Sequence, residues 1–450
     1  MVRAMNDTIA AISTAFGEAA VALVRVSGAR AAEIADALWK GRAPVRGLTP
    51  RVATLGVIED DGRKLDDVLL TVFRAPASYT GEDVVEIACH GGVLVARRIL
   101  EALLRHGARA AEPGEFTQRA YLNGKLDLTQ AEAVMDLISA QTDLALRAAT
   151  EQLAGRLGER IRALRQQVLE TLAHVEAFID FPDEDIDPDT DAALRARMDA
   201  ALAETAALLA TAGRGKVLRE GVRTVIFGEP NVGKSSLLNL LLGYERAIVS
   251  TRPGTTRDML EETVALAGIP LRLADTAGVR ATDDELEQAG IERTHRALEG
   301  ADLVLRVVDA SAAMRAGWDT LPAGGNARRI VVLNKCDLGE HPSWAGVGGV
   351  RLSCITAAGM DALTGAISEA VLGGAARADW SAAINARHAG CLESAAGFLR
   401  AGLLAMDEGL SPEFIAEELR AAMSAIGDIV GRADSDEVLG VIFSSFCIGK

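Results

Sequence analysis

The chain has 450 residues, 49% hydrophobic and 24% charged, a composition that excludes intrinsic disorder and, by length, predicts about three domains. Aromatics make up only 4%, so the cores must rest on Leu, Val, Ile and Ala. A formal net charge of −16 excludes a generic polyanion binder; contact with nucleic acid would need a local basic patch or a partner protein.

Residues 1–119 mix short β-type runs (VALVRV, DVLLTVF, VVEIACH) with an apolar-periodic helix, VLVARRILEALLRHG, ended by Gly107. This predicts an N-terminal α+β domain. From residue 120 to 218 the pattern is helical, from LTQAEAVMDLI onward, broken at FPDEDIDPD and resumed over about 189–212, with GRGKVLREG as a linker. Over 219–376 strands alternate with helices: RTVIF and KSSLLNLLLG, LRLAD, ADLVLRVVDA, RRIVVLN, GVRLS and MDALTGAISEAVLG. That series argues for a mostly parallel sheet. Residues 377–450 are helical again, so an α/β domain is inserted into a helical bundle built from two chain segments.

Five cysteines, Cys89, Cys336, Cys354, Cys391 and Cys447, are odd in number, widely spaced and form no CxxC. They argue against a disulfide framework or a structural zinc site and for a reducing, cytoplasmic setting. No apolar run approaches the length of a membrane span, and the N-terminal stretch lacks the apolar core of a signal peptide.

GEPNVGKS, 228–235, matches G-x-x-x-x-G-K-[ST] between a strand and a helix, the context a phosphate-binding loop requires. Its backbone amides and the helix N-terminus close around phosphates, Lys234 neutralises β/γ charge and Ser235 can bind Mg²⁺. STRPGTTRD, 250–258, offers Thr255 and Thr256 as switch threonines, and DTAG, 275–278, follows a strand. In NKCD, 334–337, Asp337 can accept from both N1 and the C2 amine of guanine, a donor pair adenine lacks; Asn334 and Lys335 would brace base and loop. SCI, 353–355, offers a backbone N–H to guanine O6. In this order the motifs read as a P-loop GTPase of Ras-like topology. The residues expected at GTP are Asn231, Val232, Gly233, Lys234, Ser235, Ser236, Ser250, Thr251, Arg252, Pro253, Gly254, Thr255, Thr256, Asp275, Thr276, Ala277, Gly278, Asn334, Lys335, Asp337, Ser353, Cys354 and Ile355.

Two catalytic parts have no obvious bearer. Val279 stands where Ras-type enzymes place a water-orienting glutamine, and no arginine is identifiable as a finger by spacing. Asp283, Asp284, Glu285 and Glu287 either favour a helix start or include the missing water-orienting group. A monovalent cation held by Asn231 and carbonyls of the 250–256 loop would supply positive charge.

Beyond these motifs, PGEFTQRAYLNGKLDLTQAEAVMDLI, FIDFPDEDID, VLREG, GTTRD, DTAGVR, GIERT and FSSFCIGK give the chain a close resemblance to the tRNA modification GTPase MnmE (TrmE) family over nearly its whole length. The resemblance implies a folate-binding, dimer-forming N-terminal domain, a split helical domain and an inserted G domain. It also implies GTP hydrolysis with K⁺ held by Asn231, Ser250, Arg252 and Thr255, Mg²⁺ held by Ser235 and Thr256, and Glu287 as the water-orienting, catalytic glutamate beside Lys234. The implied partner is an FAD-containing MnmG-type protein, with which the homodimer forms a heterotetramer. The pair adds a carboxymethylaminomethyl or aminomethyl group at C5 of the wobble uridine, position 34, of certain tRNAs. A 5-formyltetrahydrofolate-type one-carbon donor would lie against Arg25, Glu86, Lys125 and Lys450. Cys447 is either a small buried hydrophobe or a catalytic nucleophile towards the pyrimidine, and Phe443 and Phe446 anchor its tail. STRPGTT departs from the family in carrying Arg252 and Pro253 where small or apolar residues are usual, and SCI replaces SAK or SAR. The competing readings are a regulatory or ribosome-assembly GTPase, and a folate enzyme in which GTP is only a switch.

Overall fold

The computed structural model describes residues 7–180, 191–244, 262–273, 298–319, 327–373, 383–431, 436–444 and 446–450. The chain divides into two compact units, one of Met1–Met135, Leu153–Ala201 and Gly397–Lys450, the other of Asp136–Gln152 and Leu202–Ala396.

In the first unit, seven strands form one sheet: β1 (Ile9–Ile12), β2 (Val21–Ser27), β3 (Trp39–Lys40), β4 (Thr54–Asp60), β5 (Arg63–Phe73), β6 (Val84–His90) and β7 (Arg109–Ala110). Their order is β3-β4-β5-β6-β2-β1-β7, antiparallel throughout except for the β1–β7 pair. Alternation of side chains along β2, β5 and β6 puts Val24, Val26, Val68, Leu70, Val72, Val85 and Ile87 on one face. The helices Ala31–Leu38 and Val93–Arg105 close over that face with Ile34, Leu38, Ile99 and Leu103. Arg25 of β2 lies in register with Glu86 of β6. This is the expected α+β architecture; β4, a strand of seven residues, went unread because TLGVIED is half polar and carries a glycine.

The helical run after residue 120 forms three helices, Leu128–Ser139, Asp143–Leu153 and Arg156–Asp180. Thr142 Oγ1 accepts the Ala145 N–H at 3.2 Å and starts the second, while Gly155 takes left-handed backbone (φ +89°) ahead of the third. The helix Pro412–Val430 packs along Arg156–Asp180, and Arg420 reaches Glu176 at 2.8 Å. Arg195 likewise pairs with Asp407. Two segments far apart in sequence thus build one bundle.

The expected linker GRGKVLREG is not a linker. Residues 213–220 of it lie within the helix Ala212–Glu220 and Gly221 caps that helix, with Leu218 buried and Gly215 pressed against the Ile384 carbonyl, where a Cβ would collide. Its three glycines suggest a flexible turn, but Gly215 serves close packing.

The second unit carries β8 (Val222–Phe227), β9 (Glu262–Leu266), β10 (Ile269–Leu273), β11 (Leu303–Asp309), β12 (Arg328–Asn334) and β13 (Val350–Arg351). The order is β13-β12-β11-β8-β10-β9, parallel except for the terminal β9–β10 hairpin. β11 is buried along nearly all its length, as a strand covered on both faces must be. This is the expected inserted sheet. Its phosphate-binding and guanine-binding loops lie at the carboxyl ends of β8, β12 and β13, where open α/β sheets place their ligands.

Candidate functional site

The phosphate loop leaves β8 and enters the helix Lys234–Tyr244. Gly233 has φ +100°, and a Cβ there would run into the Asn334 amide, so the position requires glycine. The amides of Lys234, Ser235 and Ser236 open the helix and carry its positive end. Lys234 Nζ donates to the Glu229 carbonyl at 2.7 Å across the loop. Ser235 and Ser236 are exposed.

Asn334, buried at the end of β12, ties the two recognition loops together. Its Nδ2 donates to the Val232 carbonyl at 2.9 Å, and its Oδ1 accepts the Cys354 N–H at 3.2 Å. Lys335 Nζ donates to the Asn231 carbonyl at 2.9 Å and to Asp309 Oδ2 at 2.6 Å. Burial raises the Asp309 pKa, but hydrogen bonds from Lys335 and Ser311 outweigh it and hold the carboxyl below its ordinary value. Asp337 is exposed and has no partner among the described residues, so its carboxylate is open to a pair of donors. Burial pushes the Cys354 thiol up to about 11, with the charge of Asp337 the next cause, so it stays neutral beside that carboxylate. Ser353 is buried, and the Ile355 side chain is 84% exposed. Asn231, Asp309 and Lys335 also line a cavity of about 340 Å³ beside the loop.

Ser250, Thr251, Arg252, Pro253, Gly254, Thr255, Thr256, Asp275, Thr276, Ala277, Gly278 and Glu287 lie outside the described residues. Of the nucleotide residues that are described, Asn231, Val232, Asn334, Lys335 and Cys354 form one hydrogen-bonded assembly. Asp309 was not expected there. It ends the apolar strand LVLRVVD, next in register to Asn334, and a carboxylate closing a buried strand beside NKCD is the signal that points to it.

A second cluster forms in the first unit. Arg25 donates to Glu86 Oε1 through Nε at 2.9 Å and sits 2.8 Å from it through Nη2. Its guanidinium stacks over the rings of Tyr79 and Phe116, 5.4 and 5.6 Å to the centroids. The Tyr79 hydroxyl bonds Thr117 at 2.8 Å, and Lys125 Nζ donates to the Pro76 carbonyl at 3.1 Å on the same loop. The tail at 446–450 joins them. The Phe116 N–H donates to the Lys450 carbonyl at 3.2 Å, Ser13 Oγ to the Gly449 carbonyl at 3.0 Å, and Ile448 bridges to Pro113. Phe443 and Phe446 are 2% and 6% exposed and pack against Leu128, Ala131 and Val134, each such burial contributing roughly 1.5–3 kcal/mol. The aromatic anchors are therefore as expected. Cys447 is not the buried hydrophobe of one sequence reading: it is exposed, and its carbonyl accepts from Gly114 and Lys450.

Beneath this cluster lies an ionic core that the sequence does not announce. Arg119, 1% exposed, donates through Nη2 to Asp7 Oδ1 at 2.7 Å and to Glu115 Oε1 at 2.9 Å, and through Nη1 to Glu82 at 3.2 Å. Arg109 adds a 2.6 Å bond to Glu115, and Ser27 a 2.7 Å bond to Glu82. Burial pushes the Glu115 carboxyl up, yet the bonds from Arg109, the Glu112 N–H and Arg119 hold it below its ordinary value.

Comparison with known proteins agrees with this architecture. Residues 8–125 match the model of the GTP-binding protein TrmE N-terminus, and residues 128–447 match that of the MnmE helical domain. The tRNA modification GTPase MnmE of Akkermansia muciniphila is 52% identical over 446 residues, covering 98% of this chain and 99% of its own. That of Symbiobacterium thermophilum is 45% identical over 459 residues, covering 99% and 100%. Among solved structures, the G domain of the T. maritima FeoB iron transporter is 22% identical over 33% of this chain and 96% of its own, with a TM-score of 0.22. With both family models matched and relatives aligned end to end around this nucleotide site, the chain belongs to the tRNA modification GTPase MnmE family.

Proposed function

We propose that the chain binds and hydrolyses GTP and that this hydrolysis serves tRNA modification. The observation that carries the GTP site is Asn334, which joins the phosphate loop at Val232 to the guanine loop at Cys354 while Asp337 stays open. Lys234 neutralises β/γ-phosphate charge, the helix amides after Gly233 cradle the phosphates, and Asp337 selects guanine. Glu287, carried over from the family motif, orients the attacking water. Glu287→Ala should lower the hydrolysis rate by about 100- to 10,000-fold, as loss of a positioned general base does. Binding of a fluorescent GTP analogue should stay within about twofold. A retained rate would clear Glu287 of the role.

The residues present fit the two cations of the reading. The Asn231 side chain is exposed and has no hydrogen-bond partner among the described residues, leaving a neutral amide oxygen suited to K⁺, to be completed by Ser250, Arg252 and Thr255. Ser235, in the first turn of its helix, suits Mg²⁺ together with Thr256. When bound, these ions supply positive charge against the β- and γ-oxygens, in place of an arginine finger.

The tRNA chemistry is assigned to position 34, where a carboxymethylaminomethyl or aminomethyl group is added at C5 together with an FAD-containing MnmG-type partner, the homodimer entering a heterotetramer. Arg25, Glu86, Lys125 and Lys450 form the site for a 5-formyltetrahydrofolate-type donor; what supports this is Arg25, bonded to Glu86, over the Tyr79 and Phe116 rings, with the Lys450 carbonyl bonded to the Phe116 N–H. Cys447, exposed on the same tail, is the candidate nucleophile. The domain plan that goes with this reading is 1–119, 120–218, 219–376 and 377–450, in the cytoplasm; among the described residues no helix is long and apolar enough to cross a membrane. In a strain lacking the chain, nucleoside analysis of bulk tRNA should show loss of the C5-modified wobble uridine. Unchanged uridines would favour the regulatory or ribosome-assembly reading.

A further inference from the structure

Two residues without the freedom of glycine hold left-handed backbone and meet across the nucleotide site, Asn231 at φ +62° and Lys335 at φ +64°. Such conformations persist only where the surroundings over-determine them. At Asn231 the restraint is a charge-assisted bond, Lys335 Nζ to its carbonyl at 2.9 Å. Lys335 is in turn fixed by Asp309, 2.6 Å away. Asp309 does not depend on Lys335 for its own position, because its Oδ1 also accepts the Ser311 N–H at 3.0 Å and Oγ at 2.6 Å. A strut thus runs from the end of β11, through the lysine of NKCD, to the backbone of Asn231, whose exposed side-chain amide has no hydrogen-bond partner among the described residues.

We propose that Asp309 is the positioning residue that sets the monovalent-cation preference of this GTPase, by clamping Lys335 on the Asn231 carbonyl and so fixing the backbone that carries the Asn231 amide oxygen. This rests on the reading of Asn231 as a K⁺ ligand. A site of neutral oxygens separates K⁺ from the smaller Na⁺ by the number, field and spacing of its donors. With Asp309 gone, the Lys335 ammonium is free to leave the carbonyl, the left-handed turn at Asn231 loses its restraint, and the oxygens can close on Na⁺ or withdraw from K⁺.

The test uses the full chain and two fluorescent probes, GDP and a non-hydrolysable GTP analogue, titrated with KCl or NaCl at constant ionic strength. For Asp309→Asn, which keeps the volume and an acceptor for Ser311, the K⁺ midpoint for analogue binding should rise about tenfold, the loss of one charge-assisted bond. The K⁺/Na⁺ ratio should fall towards one, while GDP affinity without K⁺ stays within about threefold. Ser311→Ala, which only loosens the carboxylate, should move both readings the same way by less, and it serves if Asp309→Asn does not fold. A wild-type protein that prefers K⁺ beside variants with unchanged midpoint and ratio overturns the assignment to Asp309 and leaves the K⁺ reading standing. A wild-type protein indifferent to the two ions overturns both. Equal loss of GDP and analogue binding in every salt reduces Asp309 to support of the guanine loop, and that too overturns the proposal.

Discussion

An Asp337→Asn protein is expected to lose affinity for GTP by roughly 100- to 10,000-fold and to gain affinity for XTP. The Asp337 carboxylate is exposed and carries no partner among the described residues, so in the proposed GTP complex it would accept from guanine alone. Two hydrogen bonds to a charged acceptor are worth about 1.5–3 kcal/mol each, which sets the range. Asparagine turns one of the two acceptor positions into a donor. Guanine then meets a donor with its own C2 amine, whereas xanthine offers a carbonyl at C2 and keeps the N1 proton. Fluorescence competition with GTP and XTP reads both changes. GTP affinity within threefold of wild type would remove Asp337 from base selection. The Asn334 and Lys335 contacts to the phosphate loop are untouched, so the fold of the site is preserved.

The second large effect concerns stability. Arg119→Ala removes the cation shared by Asp7, Glu82 and Glu115 and leaves the charges of Glu82 and Glu115 in a largely buried setting, while Asp7 is exposed. Breaking such a group by deleting one partner costs about 3–5 kcal/mol. The penalty should change with pH in a defined sense. In the wild type the Glu115 and Asp7 carboxyls titrate below their unfolded values of 4.5 and 3.8, so their contribution is complete above those values and is lost as pH falls through the lowered ones. In the variant Asp7 and Glu115 keep only Arg109 as a cation and Glu82 only its bond from Ser27, so ionisation is less favoured than in the wild type and acid relieves part of the loss. The difference in urea midpoint between the two proteins should therefore shrink on acidification towards pH 4. A constant difference across pH would mean that the loss of Arg119 acts through packing rather than charge.

These two residues show where the sequence is legible and where it is not. Asp337 sits in a contiguous motif after an apolar strand, so its neighbours along the chain are enough to predict its place at the loop that follows β12. The same holds for Lys234, and for the tail, whose aromatic spacing announced its anchoring. Arg119 meets Glu115 as a local i,i+4 pair, but its partners at positions 7 and 82 are brought to it by the fold, and no local pattern carries those two. Asp309 is an intermediate case, in plain view at the end of a strand but informative only once β11 lies beside β12. The mistaken linker at 212–220 failed for another reason: glycine marks both flexible turns and close helix packing, and composition alone does not separate them.

The bond from Ser13 to Gly449 spans 436 residues of chain. At about 5–20 residues per second, the ribosome needs roughly 20 to 90 s to make that stretch. The N-terminal sheet has all its strands by residue 110, so it can be folded long before its Arg25 cluster acquires the tail at 446–450. A nascent chain therefore carries this half-built cluster through most of its own synthesis, and a product truncated ahead of the tail would be well folded at its N-terminus yet unable to complete the cluster.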